Sequence, residues 1–167
     1  MKKTYFIARS ALCAALYASL TLACLPLSYG MVQFRISEVM TLLVFFNPGY
    51  VPSLLIGCFV ANLLGPGGIV DAVFGTCASL FAFLWIITAR KIKNEKVALF
   101  VSAAGPVVSS FIIAFEMKFA LQDPLSFWLW FFYVAIGQAV VLYVLGCPLA
   151  LYIRKKDRLL DLINSVK

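Results

Sequence analysis

The 167-residue chain contains no histidine and only seven acidic residues, and charged residues make up just 13% of it. Histidine is the commonest general base and the commonest metal ligand in proteins, so its absence argues against most hydrolytic and metal-dependent enzymes. The seven carboxylates are scattered along the chain and show no spacing typical of a catalytic motif. We therefore expect no enzymatic activity, no metal and no cofactor.

Charge is also missing from long stretches of the chain. Five stretches carry no charged residue, at 10–34, 39–70, 72–89, 97–115 and 124–153. A transmembrane helix takes about 20 predominantly apolar residues. Because 63% of all residues are hydrophobic, the composition is that of an integral membrane protein. The net charge of +7 does not indicate nucleic-acid binding, since the basic residues cluster at the ends of the apolar stretches.

Three basic clusters predict the orientation of the chain. They are Lys2, Lys3 and Arg9, then the loop 90–96, then the segment 154–158. The positive-inside rule places such clusters in the cytoplasm, so an even number of crossings must separate each pair. We expect both termini in the cytoplasm of a multi-pass protein of the cell membrane, with 12 of the 14 basic residues inside.

Three apolar stretches lie between the first and second basic clusters, and three crossings would place the second cluster outside. One stretch must therefore cross twice, and we expect a break within 39–64. Asn47-Pro48-Gly49 supplies it, because proline removes a backbone donor, glycine disfavours the helix and Asn-Pro favours a turn. The sequence therefore predicts an all-α membrane protein, a single domain over 1–167 built as a compact bundle of six transmembrane helices whose second helix is short. The predicted helices are about 5–28, 38–46, 50–64, 69–89, 97–116 and 124–153.

The first apolar stretch has a second interpretation as a signal peptide, because Lys2 and Lys3 precede an apolar run that ends at Cys24. Arg9 interrupts that run, and further apolar spans follow it. We interpret the stretch as a retained first transmembrane helix.

Several polar residues lie within or beside the predicted spans, where a polar group needs a partner. Charged groups near the ends of spans can extend into the lipid headgroups. The amides Asn62 and Gln138 lie deeper, and each must bind either another helix or a ligand. Aromatic residues crowd 127–133, where a belt at the membrane interface and stacking on a planar ligand are both compatible with the pattern.

The first helix carries small residues at four-residue spacing, among them Ala11, Ala15 and Ser19. Such a smooth face allows close helix approach. It serves either packing inside the bundle or docking of a partner subunit.

Five segments resemble those of the QueT family. They are VQFRISE at 32–38, GCFVANLLG at 57–65, DAVFGT at 71–76, GQ at 137–138 and LGCPL at 145–149. The resemblance covers nearly the whole chain, in order and with matching spacing. It implies the substrate-binding S-component of an energy-coupling factor transporter: a six-helix membrane subunit that captures a queuosine precursor outside and works with a shared transmembrane subunit and two ATPases.

The resemblance, together with ligand chemistry, predicts where the substrate binds. A 7-deazaguanine offers a ring N–H and an exocyclic amine as adjacent donors, which one carboxylate can accept together. An aminomethyl cation on the ligand would need a second carboxylate. We expect a pocket near the outer face, sealed by aromatic residues. Its predicted residues are Arg35, Glu38, Asn62, Asp71, Phe74, Glu116 and Gln138.

Other functions remain compatible with the sequence. An S-component for a different vitamin would share the scaffold and differ in the pocket. A structural membrane protein would use its buried polar groups only to join helices and would bind no ligand. A membrane enzyme would need a base, nucleophile or metal cluster that the chain does not display at motif spacing.

Overall fold

The computed structural model describes residues 2–164, with the side chains of 7–164, and these residues form helices and no strand. The α-helices are α1 (Lys2–Ala23), α2 (Leu25–Ser28), α3 (Leu43–Phe46), α4 (Val51–Leu63), α5 (Gly68–Ala89), α6 (Glu95–Phe115), α7 (Phe127–Ala139), α8 (Cys147–Arg154) and α9 (Asp157–Asn164). Two 3-10 helices, Ile36–Leu42 and Pro48–Tyr50, and two π-helical segments, Glu116–Ala120 and Val140–Gly146, connect or extend them.

Three helical stretches are long and apolar enough to cross a membrane, namely Gly68–Ala89, Glu95–Ala120 and Phe127–Arg154. Shorter apolar helices occupy Ile7–Ala23, Ile36–Phe46 and Pro48–Leu63. The all-helical, membrane-spanning class predicted from the sequence is therefore confirmed. The count of six crossings stays a prediction, because Ile36–Phe46 and Pro48–Leu63 are shorter than the about 20 residues that cross a bilayer.

The chain interrupts its helices where local chemistry favours a break. Asn47 has an extended backbone, and its side-chain oxygen accepts a hydrogen bond of 2.9 Å from the backbone N–H of Gly49. This cap separates α3 from the turn that leads into α4. The structure also divides the first predicted helix, because α1 ends at Ala23 and Pro26 lies in the first turn of the separate α2.

Two further boundaries differ from the predicted ones for identifiable reasons. The segment predicted as a helix over 38–46 begins as a 3-10 helix at Ile36 and becomes α-helical only at Leu43. The last long stretch begins at Phe127, where the Ser126 hydroxyl accepts a hydrogen bond from the Leu129 N–H. It then passes through a π-helical segment just before Pro148, whose ring disfavours a regular α-helix at the preceding turn.

Neighbouring helices pack in chain order: α1 contacts α4, α4 contacts α5, α5 contacts α6 and α6 contacts α7. Small residues allow the close approaches. A Cβ placed on Gly57 of α4 would lie 2.8 Å from the backbone oxygen of Ala14 in α1. The main core, which includes Tyr17, Phe83 and Ile86, fills the interior between these helices.

The two ends of the bundle carry different charges. At one end, called the basic end here, Arg154 forms an ion pair with Glu95, and Arg90 donates a hydrogen bond of 3.4 Å to the Phe46 carbonyl. At the other, called the acidic end, Asp71 lies in the first turn of α5 and Glu116 directly follows α6.

A segment without regular helix, 29–35, connects α2 to the first 3-10 helix at the acidic side, and its second half turns two polar side chains into the interior. We call it the strap. Gln33 and Arg35 are buried, at 1% and 5% exposure, and Gln33 has the left-handed φ of 48°. The strap crosses α7 at Gly137, where a Cβ would overlap the Val32 carbonyl oxygen. Glycine at position 137 therefore lets the strap enter the bundle.

We expect Gly137→Ala to destabilise the protein by about 1–3 kcal/mol, the usual range for overpacking, because the added methyl meets backbone that must shift. Thermal unfolding in detergent measures the effect. The matched control is Gly146→Ala, whose methyl would have its closest contact, at 3.0 Å, with the end of the flexible Leu42 side chain. Equal unfolding temperatures for the two variants would contradict this account of the strap.

Candidate functional site

A polar cavity lies where the strap meets the long helices. Four parts of the chain line it: the strap with the start of the 3-10 helix, α5, α6 and α7. The lining residues are Gln33, Arg35, Glu38, Gly75, Ala78, Ser79, Ala82, Pro106, Ser109, Ser110, Ile113 and Gln138. Its volume is about 20 Å³, which is room for one water molecule rather than for a bicyclic ligand.

Glu38 is held in place from α1. The hydroxyl of the fully buried Tyr17 donates a hydrogen bond of 2.7 Å to Glu38 Oε1. Beside it, the hydroxyls of Thr21 and Ser37 lie 2.6 Å apart, which ties the 3-10 helix to the same face of α1. These contacts point the carboxylate of Glu38 into the cavity.

Arg35 is fixed by the strap itself and by the residues just before it. Its Nε donates a hydrogen bond of 3.2 Å to the Ser28 carbonyl, and its guanidinium lies 5.0 Å from the centre of the Tyr29 ring. Such stacking on an aromatic face suits the planar guanidinium. Arg35 is thus oriented by backbone and ring contacts.

Tyr29 links the strap to α4. Its hydroxyl lies 2.7 Å from the Ala61 carbonyl and 3.2 Å from Asn62 Oδ1, and it serves as donor to both oxygens. Asn62 in turn donates to Cys58 Sγ at 3.3 Å, and its amide packs so closely on Gly75 that a Cβ there would collide with it. Asn62 therefore joins helices behind the cavity wall and does not line the cavity.

Asp71 and Glu116 form a pair at the acidic end. Both are buried, at 5% and 1% exposure, and their carboxyl groups lie close enough to interact directly, with the charge of Arg35 also within range. Asp71 stands one helical turn before Gly75, and Glu116 stands three residues after Ile113. The pair therefore sits about one turn, roughly 5 Å, beyond the cavity.

The site contains buried oxygens without a protein partner. They are Gln33 Oε1, Glu116 Oε1 and Gln138 Oε1. A buried polar atom left without a hydrogen bond costs about 1–3 kcal/mol. Gln33 and Gln138 line the cavity, so a donor placed in it would meet two of these acceptors, whereas Glu116 lies beyond it.

The structure brings together six of the seven predicted ligand-binding residues around one cavity and its borders. Arg35, Glu38 and Gln138 line it, whereas Asn62, Asp71 and Glu116 lie immediately behind or beyond it, as described above. The seventh, Phe74, is half-buried with its ring 6.2 Å from that of Phe115, and it does not line the cavity.

Sequence reasoning left four polar lining residues out of the predicted pocket: Gln33, Ser79, Ser109 and Ser110. Gln33 belongs to the same segment as Arg35 and Glu38, which is a signal that would have included it. Ser109 and Ser110 both donate to the Pro106 carbonyl, at 2.8 and 3.4 Å. Two adjacent hydroxyl residues in an otherwise apolar helix are the sequence feature that would have indicated Ser109 and Ser110 as lining residues.

The aromatic residues of 127–133 do not line the cavity. Trp130 is buried and donates through its indole nitrogen to Asp123 Oδ1 at 3.0 Å, while Trp128 and Phe132 are exposed. Among the described residues, no group of three or more Cys, Asp or Glu side chains is arranged to hold a metal ion.

The residues Ala11, Ala15 and Ser19 are all exposed on α1. The Ser19 hydroxyl donates to the Ala15 carbonyl at 2.5 Å, so its polar group is satisfied within its own helix. The stripe is therefore a smooth outer surface and not part of the internal packing described above.

Comparison with known proteins gives one family and one named relative. Residues 7–155 match the model of the QueT transporter family. The "Queuosine precursor transporter QueT" of Lactococcus lactis subsp. cremoris (strain MG1363) is 32% identical over 151 residues, which cover 85% of this chain and 88% of that protein. No solved structure matches the chain significantly. A family match over most of the chain, on an all-helical fold with three long apolar helices, shows that this chain is a membrane protein that belongs to the QueT transporter family.

Proposed function

We propose that this protein is the substrate-binding S-component of an energy-coupling factor importer and that it captures a queuosine precursor of the 7-deazaguanine type outside the cell. The observation that carries the proposal is the polar cavity with unpartnered acceptors, built inside a membrane bundle of this family. The name of the Lactococcus lactis relative, a queuosine precursor transporter, supports the class of substrate.

The chemistry of the cavity suits the ring of such a ligand. Tyr17 occupies Oε1 of Glu38, and the rest of that carboxylate is available to accept the adjacent ring N–H and exocyclic amine of a 7-deazaguanine. The hydroxyls of Ser109 and Ser110 and the amides of Gln33 and Gln138 lie around the same space. They supply further partners for the ring edge.

Binding requires the cavity to widen. Ligand pockets of drug-sized molecules occupy about 300–1,000 Å³, far above the 20 Å³ found here. The strap lines the cavity without being part of a long helix. The hydrogen bond from Tyr29 to the Ala61 carbonyl and the backbone contact with Gly137 hold it in place. We assign the opening movement to the strap.

The proposed topology has six crossings with the basic end and both termini in the cytoplasm. The cationic residues at the basic end support this orientation through the positive-inside rule. Energy would come from partner subunits: a shared transmembrane subunit and two ATPases. The exposed stripe of Ala11, Ala15 and Ser19 on α1 is the surface that we assign to docking of the transmembrane partner.

A ligand panel tests the proposed substrate. We expect the purified protein in detergent to bind 7-deazaguanine compounds saturably with a Kd below about 1 µM, which corresponds to roughly 8 kcal/mol, and to bind guanine, thiamine and riboflavin more weakly. Titration calorimetry measures each affinity. Tight binding of a vitamin from the panel would replace the substrate, and absence of any binding by folded protein would refute the capture function.

Glu38→Gln tests the assigned recognition of the ring. The amide still accepts from Tyr17, but its NH₂ end cannot accept the ligand's N–H groups, so we expect affinity to fall at least about tenfold, as for loss of a charge-assisted hydrogen bond. The control is Glu95→Gln, the same change at an exposed site on the basic end. Unchanged affinity in the Glu38 variant would exclude this residue as the ring partner.

A docking test uses the stripe on α1. We expect Ala15→Leu to weaken assembly with the transmembrane and ATPase subunits, because the larger side chain disrupts the smooth face, while ligand affinity of the isolated subunit stays unchanged. Co-purification measures the assembly. Cys77→Leu adds bulk at an exposed position on α5 and serves as control; equal assembly of both variants would place the docking surface elsewhere.

A further inference from the structure

We propose that the basic end of the bundle binds one anionic phospholipid, with the phosphate at Arg9 and an acyl chain in an apolar groove beside α1. This site is separate from the polar cavity, and it does not depend on which substrate the protein captures. The groove has a volume of about 290 Å³. One face of α1, the segment that leads through α3 to the start of α4, and α9 line it.

The face of α1 gives the groove a charged end and an apolar length. Arg9, Leu12, Cys13 and Leu16 line the groove, and their spacing of three and four residues places them on one side of the helix. Arg9 is the last charged residue before the charge-free stretch 10–34. The groove therefore begins at a cation and continues along apolar side chains for about two turns, roughly 10 Å. A phospholipid has the same order of parts, a phosphate followed by an acyl chain.

Tyr50 adds a hydroxyl group to the charged end of the groove. Its side chain is half-buried and lines the groove, and it lies within electrostatic range of Arg9. A guanidinium suits phosphate oxygens, and a phenolic hydroxyl can donate a further hydrogen bond to them. A phosphate at this position would meet both kinds of donor.

α9 borders the groove at the basic end. The Asn47 amide donates a hydrogen bond of 3.2 Å to the Ile163 carbonyl, which ties α9 to the end of α3. Leu162 and Ile163 line the groove. The apolar residues of α9, at 159, 160, 162 and 163, lie on one side of a strongly amphipathic helix, and Leu162 is still 55% exposed. Such a helix is typical of the boundary between lipid headgroups and acyl chains.

Charge distinguishes an anionic lipid from a second copy of this chain as the occupant. The basic clusters 90–96 and 154–158 lie at the same end as Arg9. Anionic headgroups are attracted to such clusters, whereas two copies joined at this end would bring surfaces of the same charge together. An acyl chain would also cover Leu12, Leu16 and Leu162, which are 61%, 48% and 55% exposed.

Native mass spectrometry of the full chain, stripped of lipid in detergent, tests the headgroup contact. The probes are phosphatidylglycerol, which carries one negative charge, and phosphatidylcholine with the same acyl chains, which has no net charge. We expect one phosphatidylglycerol to bind at least about fivefold more tightly than phosphatidylcholine, as expected for one added cationic contact. In Arg9→Gln the two lipids should bind equally. Arg158→Gln makes the same change at an exposed residue that does not line the groove, and it should keep the preference.

A second pair of variants tests the acyl-chain contact. We expect Leu16→Trp to weaken the binding of both lipids at least about fivefold, because the indole ring would occupy the groove. Leu20→Trp is the matched control, since Leu20 is also exposed on α1, at 39%, but does not line the groove. It should bind both lipids as the unsubstituted protein does.

Several outcomes would overturn the lipid site. Equal affinity of the two lipids for the unsubstituted protein, or an equal loss of preference in the Arg9 and Arg158 variants, would show no specific headgroup contact. Unchanged binding in Leu16→Trp would place the lipid elsewhere. A dimer that replaces bound lipid and is lost in Leu16→Trp would make a second copy the occupant. If one variant does not fold, the other pair of variants still decides, and substrate capture is tested separately by the ligand panel.

Discussion

Polar groups enclosed in an apolar bundle must find partners within the protein, and this constraint organises the structure around the strap. Lipid offers no hydrogen bonds, so a buried polar side chain there pairs within the protein or stays unpaired at a cost in stability. The strap meets the requirement through Tyr29, which reaches two oxygens of α4, and through Arg35, which uses a carbonyl and a ring. Residues of four parts of the chain thereby meet at one place.

The same constraint separates the polar residues that are paired within the protein from those that are not. Asn62 and Tyr17 form hydrogen bonds with other protein groups, so their burial requires no ligand. Gln33, Glu116 and Gln138 each keep an oxygen without a partner. An unpaired oxygen of this kind costs stability, which the ligand of the proposed function would recover by donating to it.

The helical membrane class could be predicted from the sequence, because long charge-free stretches are visible in it directly. The long helices α5 and α6 begin or end at charges, glycine or an asparagine cap, all of which are visible in the sequence. The break at Cys24, the 3-10 start at Ile36 and the path of the strap are set by tertiary contacts. Only the structure shows that the strap's backbone lies against Gly137, that Gln33 lines the cavity and that Phe74 does not.

The narrowness of the cavity has a thermodynamic consequence for uptake. If only a small fraction of molecules holds the strap open, the measured association constant equals that of the open form multiplied by the open fraction. An open fraction of about one in a hundred therefore weakens binding by about 2.7 kcal/mol. The rate of capture is limited in the same way by the population that is open. Release is not slowed in the same way, because an occupied cavity is already widened and the rarity of the open form in the empty protein acts only on association.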